Sequence, residues 1–451
     1  MKPPFKLPFL SRASQINESV FFNSAAKNEQ FYRENFGLLN FRSEFPLSES
    51  LGKLSKADAT TNGGIAFVGL LPPNQTGVAN FTVEVIRGAS CPVDLYFWHK
   101  NDEEYLEVSR RLKFQDSKVN LYSVSAYEEG LARRNYSKVV WVLGNSDEFK
   151  SIMFLARSKR NWPNEHNIWF QIHDPVSLNL LRRVCELEEA DFKSVLYAHY
   201  GDRDLASLDW KRIYYGDYRQ LIELKICGIK ALFNDLGMSG LIVHSKAAKE
   251  LILSDWTNLP QDKVQILFHP IFPHPQKIKK AGVINKFAMG TFGVPGGHKQ
   301  TELIIDAFSK IKKAHSQASL VIAGYLVSHW MNGQNLPVEN ILYSDSPNND
   351  KLYNLMNGVN IAIQLRSLNT GESSGIVPQL LSLNKRIICT DIGSFKDYRS
   401  VARLVKSDID AEELASIILE EISTPEEMPG EREAFVSNHS REVFFKELLS
   451  L

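Results

Sequence analysis

Short, nearly continuous apolar runs punctuate the chain, and this rhythm does most to limit the folds open to it. GIAFVGLL, VDLYFW, VVWVLGN, NIWFQIHD and GLIVHS recur from Gly63 onward. Runs of this length fit strands covered on both faces. Helix-like segments follow most of them, which is the pattern of βαβ units and a parallel sheet. A second series, FAMGTFG, SLVIAG, ILYSD, VNIAIQL, RIICTD and VARLV, begins after ILFHPIFPHPQKIKKAGVINK. That segment is rich in Pro and Lys, lacks a period, and reads as a linker near residue 275. At 451 residues the chain is too long for one ordinary core. The expected fold class is therefore α/β, with two doubly wound parallel-sheet (Rossmann-like) domains facing across a cleft. Their bounds are residues 61–275 and 276–430. Residues 1–60 form an N-terminal extension without an assigned role. Residues 431–451 read as a last helix with Phe435, Val436, Val443, Phe444 and Leu448 to bury.

Lys and Arg together number 52, as do Asp and Glu, so no global field favours nucleic acid. The four cysteines fit no metal motif and no dense disulfide framework. No stretch reaches the roughly 18 apolar residues of a membrane span. The expectation is a cytoplasmic protein, with a peripheral contact at the inner face of a membrane left open. Asp202 to Asp204, DRD, lies in a helical stretch between Arg182 and Leu236 and reads as surface, so no metal site is expected.

Ligands of doubly wound sheets bind beyond the carboxyl ends of the strands. In LRSLNTGESSGIVPQLLSLNK a strand ends near Leu365, and Glu372, Ser373, Ser374 and Gly375 stand where a helix is expected to begin. Backbone N–H groups there lack intrahelical partners and sit at the positive end of the helix dipole, which suits phosphate. An ordinary capped helix is the other reading. Gln379 lies seven residues beyond Glu372, about 10 Å along one helix face. A nucleotide sugar spans that distance, with its hexose near Glu372 and its ribose near Gln379; an exposed amide is the alternative. In GTFGVPGGHKQ a strand leads through Gly293 to His298 and Lys299. A lysine so placed neutralises a diphosphate as a point charge, and Arg366 offers a second cation or pairs with a local acid. On the first domain, Thr76 and Gly77 occupy one strand–helix junction, Asn145 a second strand end, and His173 and Asp174 a third. His173 is either a hydrogen-bonding group of the site or a structural histidine. Thr76, Asn145 and Asp174 are read as acceptor-side groups, with a helix cap or a structural role as the alternative for Asp174 and Asn145.

Together these segments resemble the bacterial retaining glycosyltransferases of the GT-B fold often called family 4 or group 1. The resemblance covers most of the chain after residue 62. It implies a nucleotide-diphosphate sugar as donor and a saccharide or lipid-linked acceptor. Surface polysaccharide synthesis and a reaction without metal or cofactor are also implied. Lys299 matches the family's diphosphate-contacting lysine, and Glu372 the first acid of its paired-glutamate motif. His173 matches a histidine near the reacting centre, and Gly77 a loop that approaches the donor phosphate and the acceptor. The last helix matches one that crosses back to the first domain. Two positions depart from the pattern. Gln379, or Leu380 on the longer spacing, stands for the second acid, and Gly293 stands at or near the usual arginine. The departures keep two alternatives open, a non-catalytic binding protein and a sugar-nucleotide epimerase of the same fold.

Overall fold

The computed structural model describes residues 64–74, 76–112, 119–158, 167–275, 287–332, 339–424 and 429–451. Residues 1–60 and part of the linker lie outside these.

The first sheet has seven parallel strands. They are β1 (Ile65–Gly69), β2 (Val93–Phe97), β3 (Val119–Ser123), β4 (Lys138–Leu143), β5 (Ile168–Ile172), β6 (Gly240–Val243) and β7 (Val264–Ile266). Their order is β3-β2-β1-β4-β5-β6-β7. The second sheet has six parallel strands: β8 (Ala288–Phe292), β9 (Ser319–Gly324), β10 (Ile341–Asp345), β11 (Ile361–Gln364), β12 (Arg386–Thr390) and β13 (Arg403–Val405). Their order is β10-β9-β8-β11-β12-β13. Central strands such as β1, β4 and β8 are buried along their whole length, as continuous apolar runs require. Edge strands differ. β3 is nowhere fully buried, and β7 is only three residues long with one end exposed. Neither shows the continuous signal, and neither is legible in the run pattern.

The strand orders matter for function. Connections reverse direction between β1 and β4 in one sheet and between β8 and β11 in the other. A crevice opens at such a switch point, at the carboxyl ends of the two strands.

Residues 431–451 do not form the single helix expected. Pro429–Asn438 and Arg441–Ser450 are separate helices. Ser440 breaks the run by capping the second, its hydroxyl accepting from the Val443 N–H at 3.3 Å. The break lets the chain change domains. Phe435 and Val436 pack against the second domain's Tyr398 and Val401 cluster. Phe444, Phe445 and Leu448 are buried with Phe67, Phe81 and Ile86 of the first domain. The Leu448 carbonyl accepts from Lys138 Nζ, whose side chain is buried under the first sheet. Arg203, within the DRD segment, is also not simple surface. It donates to the Leu224, Lys225, Ser254 and Asp255 carbonyls and ties the helical stretch together, while Asp202 and Asp204 face solvent.

Candidate active site between the two sheets

β8 and β11 pair directly, with Ile361 beside Met289. The loops that leave their carboxyl ends are therefore neighbours. One carries Gly293 to Lys299, the other Arg366 to Gly375. The Ser367 N–H donates to the His298 carbonyl at 3.0 Å and stitches them together. Glycine is required at Gly293 and Gly296, where φ is +111° and +148°. Gly293 also lies against Gly324 so tightly that a Cβ on Gly324 would sit 2.0 Å from the Gly293 carbonyl oxygen. An arginine at 293 would be strained in this backbone conformation.

Arg366 fills the space between the loops. Its guanidinium donates to both Glu372 carboxylate oxygens, at 3.0 and 3.2 Å, and lies over the Phe395 ring at 5.3 Å. The Arg366 side chain is 7 % exposed, whereas the Glu372 side chain keeps 39 % of its surface exposed. Burial works against the Glu372 charge, but Arg366 and Lys299 outweigh it and hold the carboxyl below its ordinary value. Lys299 is close enough to feel Arg366, Glu372 and Asp174. Burial and the Arg366 charge push its ammonium down to about 8. Among the described residues it makes no hydrogen bond and no ion pair. The His298 residue is largely open, but its imidazole is partly desolvated, and this with the Lys299 and Arg366 charges keeps it below the usual value.

The expected helix over Glu372 to Gln379 is corrected. The helix is Ile376–Ser382, and Glu372 precedes it in an irregular loop. Glu372 and Gln379 therefore do not share a helix face, and the 10 Å spacing argument does not apply. The Gln379 amide oxygen is buried without a partner among the described residues. Ser374 is buried and caps this helix, accepting from the Val377 N–H at 3.3 Å, so its hydroxyl serves the local fold. Ser373 is half-buried, and Gly375 is exposed.

The first domain meets this group from above. Gly371, with φ +68°, packs so closely on it that a Cβ would lie 2.8 Å from Leu251 and 3.0 Å from Pro175. Ser245 Oγ also reaches the Gly371 carbonyl at 3.4 Å. Asp174 thereby joins the charge cluster of the second domain. Its carboxylate accepts from the Asn145 N–H at 2.8 Å. Burial and the Glu372 charge push the Asp174 carboxyl up to about 7. The sign of the effect follows from linkage. Between the unfolded carboxyl range and about pH 7 the folded chain holds a proton that the unfolded chain releases, so stability falls as pH rises through that window. Asp174→Asn is therefore expected to raise the thermal midpoint more at about pH 8 than at about pH 5. Equal shifts at both values, measured by thermal unfolding, would contradict a raised carboxyl.

Other first-domain residues divide. Asn145 gives its side-chain oxygen to the Leu180 N–H at 2.9 Å, so it caps the helix Leu178–Leu187 and is not a free polar group. The Thr76 hydroxyl caps Gly77–Ile86 through the Ala79 N–H at 3.0 Å. Gly77 itself is exposed, and a Cβ there would meet no atom of the described residues within 4 Å; the same is true of Gly297 and Gly375. Packing among the described residues thus sets no requirement for glycine at these three positions.

His173 sits at the end of β5, its ring edge-on to Phe81 at 4.4 Å and beside His244 at 4.6 Å. Burial, then the neighbouring His244 and His269, keep it neutral. The run pattern gave no reason to single out Gln171, His244, His269 or Gln364. The only available signal was spacing: residues two apart share a strand face, which puts Gln171 with His173. Gln364, at the end of β11, lines a small pocket with Gly293, Lys299 and Thr301.

Among the described residues, no group of three His, Cys, Asp or Glu side chains forms a candidate metal site. No helix among them is long and apolar enough to cross a membrane. No family model and no curated protein sequence matches the chain. Solved structures do. HepE of Anabaena, in complex with UDP and glucose, aligns with a TM-score of 0.54 at 11 % identity, over 86 % of this chain and 99 % of its own. TarM gives 0.55 at 10 % identity, over 87 % and 99 %. Sucrose-phosphate synthase of Thermosynechococcus elongatus gives 0.54 at 12 %, over 86 % and 97 %. At such identities the likeness concerns the fold alone. That fold is the GT-B architecture of glycosyltransferases, two parallel Rossmann-like sheets with helices on both sides.

Proposed function

We propose that the chain is a retaining, metal-independent glycosyltransferase. It moves a sugar from a nucleotide-diphosphate sugar to a saccharide or lipid-linked acceptor, in surface polysaccharide synthesis at the cytoplasmic side. The observation that carries this reading is Lys299: a half-buried ammonium without a protein partner among the described residues, at the β8/β11 switch point beside the Arg366–Glu372 pair. A cation held there at a cost is suited to an anion that arrives with the substrate. The fold likeness to HepE, itself solved with UDP-glucose, supports a nucleotide sugar as that anion. Gly77, Gly297 and Gly375, which packing leaves unconstrained, let ligand atoms approach the backbone closely.

The reaction follows from these charges. The bond from the anomeric carbon to the diphosphate oxygen breaks with its electron pair going to that oxygen. Lys299 stabilises the developing negative charge, with Arg366 behind it. Glu372, fixed by Arg366, orients the sugar hydroxyls. The acceptor oxygen bonds to the anomeric carbon from the same face, and its proton passes to the leaving phosphate. The products are the glycosylated acceptor and the nucleoside diphosphate. No cofactor enters. The test is a panel of nucleotide sugars with EDTA present, with and without oligosaccharide acceptors. Release of nucleoside diphosphate and a product of retained anomeric configuration, read by NMR, are expected. An inverted anomer, or dependence on a divalent ion, sinks those parts of the reading. The buried amide of Gln379, in place of a second acid, favours one rival: a binding protein that retains nucleotide without turnover. Conversion of the donor sugar without any acceptor would instead mark an epimerase.

A further inference from the structure

We infer that Gln171 is a positioning residue that locks His173 in its Nδ1–H tautomer, making His173 a neutral hydrogen-bond donor in the site and excluding it as a base there. This deepens the sugar-transfer reading and rests on it for its consequence, though not for its geometry.

His244 Nδ1 lies 2.9 Å from the Leu267 carbonyl oxygen, which can only accept, so His244 carries a proton on Nδ1. Burial and the neighbouring His269 push the His244 imidazole down to about 3, so it holds no second proton at neutral pH. Its Nε2 is then a bare acceptor. The Gln171 amide nitrogen stands 3.2 Å from that Nε2 and must be the donor, which settles which way the amide points. The same NH2 group reaches His173 Nε2 at 3.1 Å. An amide nitrogen cannot accept, so His173 Nε2 accepts and the His173 proton resides on Nδ1. That Nδ1–H has no protein partner among the described residues. His173 itself directly follows β5 and precedes Asp174, so its ring is carried at the carboxyl end of that strand.

Two further observations fit a lock. Gln171 is fully buried, and its amide oxygen has no partner among the described residues, an arrangement an apolar side chain would avoid. The ring planes are also held. Phe81 lies edge-on to His173 at 4.4 Å and to His269 at 5.0 Å, and packs on His244 at 5.2 Å. His269 Nδ1–H is spent on the Pro270 carbonyl at 3.0 Å. The titratable groups around His173 are thus His244, His269 and the adjacent Asp174, and the Gln171 amide between the His173 and His244 rings sets the tautomer.

The test is a long-range 1H–15N correlation on the full chain labelled with 15N-histidine, without ligand, using His173→Asn only to assign signals. Wild-type His173 should be neutral with its proton on Nδ1. In Gln171→Leu it should move to the Nε2–H form that histidine favours in water. With donor and acceptor, that variant should lose roughly tenfold in kcat with little change in donor KM. Gln171→Glu, close in shape but able only to accept, should force Nε2–H and let His173 bind a second proton, so its activity should also fall on the acid side. An Nε2–H or doubly protonated wild-type His173 overturns the proposal. So does unchanged kcat in both variants when their spectra show the tautomer has moved. If no donor is turned over, the function reading fails, and the spectrum alone still decides the lock.

Discussion

Lys299→Met should lose on the order of 10²-fold or more in sugar transfer while its thermal midpoint stays the same or rises. The opposed signs are the point. An amine whose folded pKa lies at about 8, below its ordinary 10.5, is costly to the fold wherever it is charged. Below about pH 8 both the folded and unfolded chains carry the proton, and the folded chain bears the whole cost. As pH rises from there towards 10.5 that cost fades. Replacing the ammonium by a methyl thioether of similar length therefore relieves the fold at neutral pH. It also removes the charge that faces the leaving diphosphate. A surface lysine with no task would show neither effect, and a structural lysine would show a lower midpoint with any loss of rate. Initial rates of nucleoside diphosphate release, measured alongside thermal unfolding, separate the three. A variant that is less stable and fully active would remove Lys299 from the mechanism.

Arg366→Met should do the reverse to stability, with a comparable loss of rate. The guanidinium is 7 % exposed and binds Glu372 through two hydrogen bonds. Without it, burial pushes the Glu372 carboxyl up and nothing orients it in the loop. Breaking one side of such a pair costs more than removing both, because the remaining charge is left uncompensated. The thermal midpoint is expected to drop by several degrees in Arg366→Met. Much of that drop should be recovered in Arg366→Met with Glu372→Gln. Transfer should not recover, since the double variant restores neutrality without restoring the carboxylate. A double variant no more stable than the single would mean that Arg366 acts on the fold through Phe395 and not through Glu372.

Much of this site was legible from residue order because the relevant signals are local. Glycines before a lysine after an apolar run, and a lone acid among small residues after another, each mark a loop at a strand end. β8 and β11 then proved to be adjacent at the sheet's switch point, which no local signal encodes. One error has an equally local cause. The helix starts only at Ile376, not at Glu372, because the Ser374 hydroxyl takes the Val377 N–H and holds the chain before it out of the helix. Two expected acceptor-side groups are held by the fold instead: the Thr76 hydroxyl caps its own helix, and the Asn145 oxygen is taken by the Leu180 N–H of a helix 35 residues away in the chain. Gln171 passed unnoticed because a single amide in an apolar strand has no pattern of its own.

The order of residues by itself determined the layered α/β class, the two series of strands and the loops that carry charge, since burial on both faces and turn chemistry are written over a few neighbouring positions. Tertiary structure alone decided which of those loops share a crevice, that Arg366 turns inward to grip Glu372, and that Asp174 crosses from the other domain to join them. It alone also decided the proton position on His173, through a chain of contacts from Leu267 to Gln171. The reason is that Coulomb interactions and hydrogen bonds depend on distances between groups far apart in the chain, and those distances exist only once both sheets are packed.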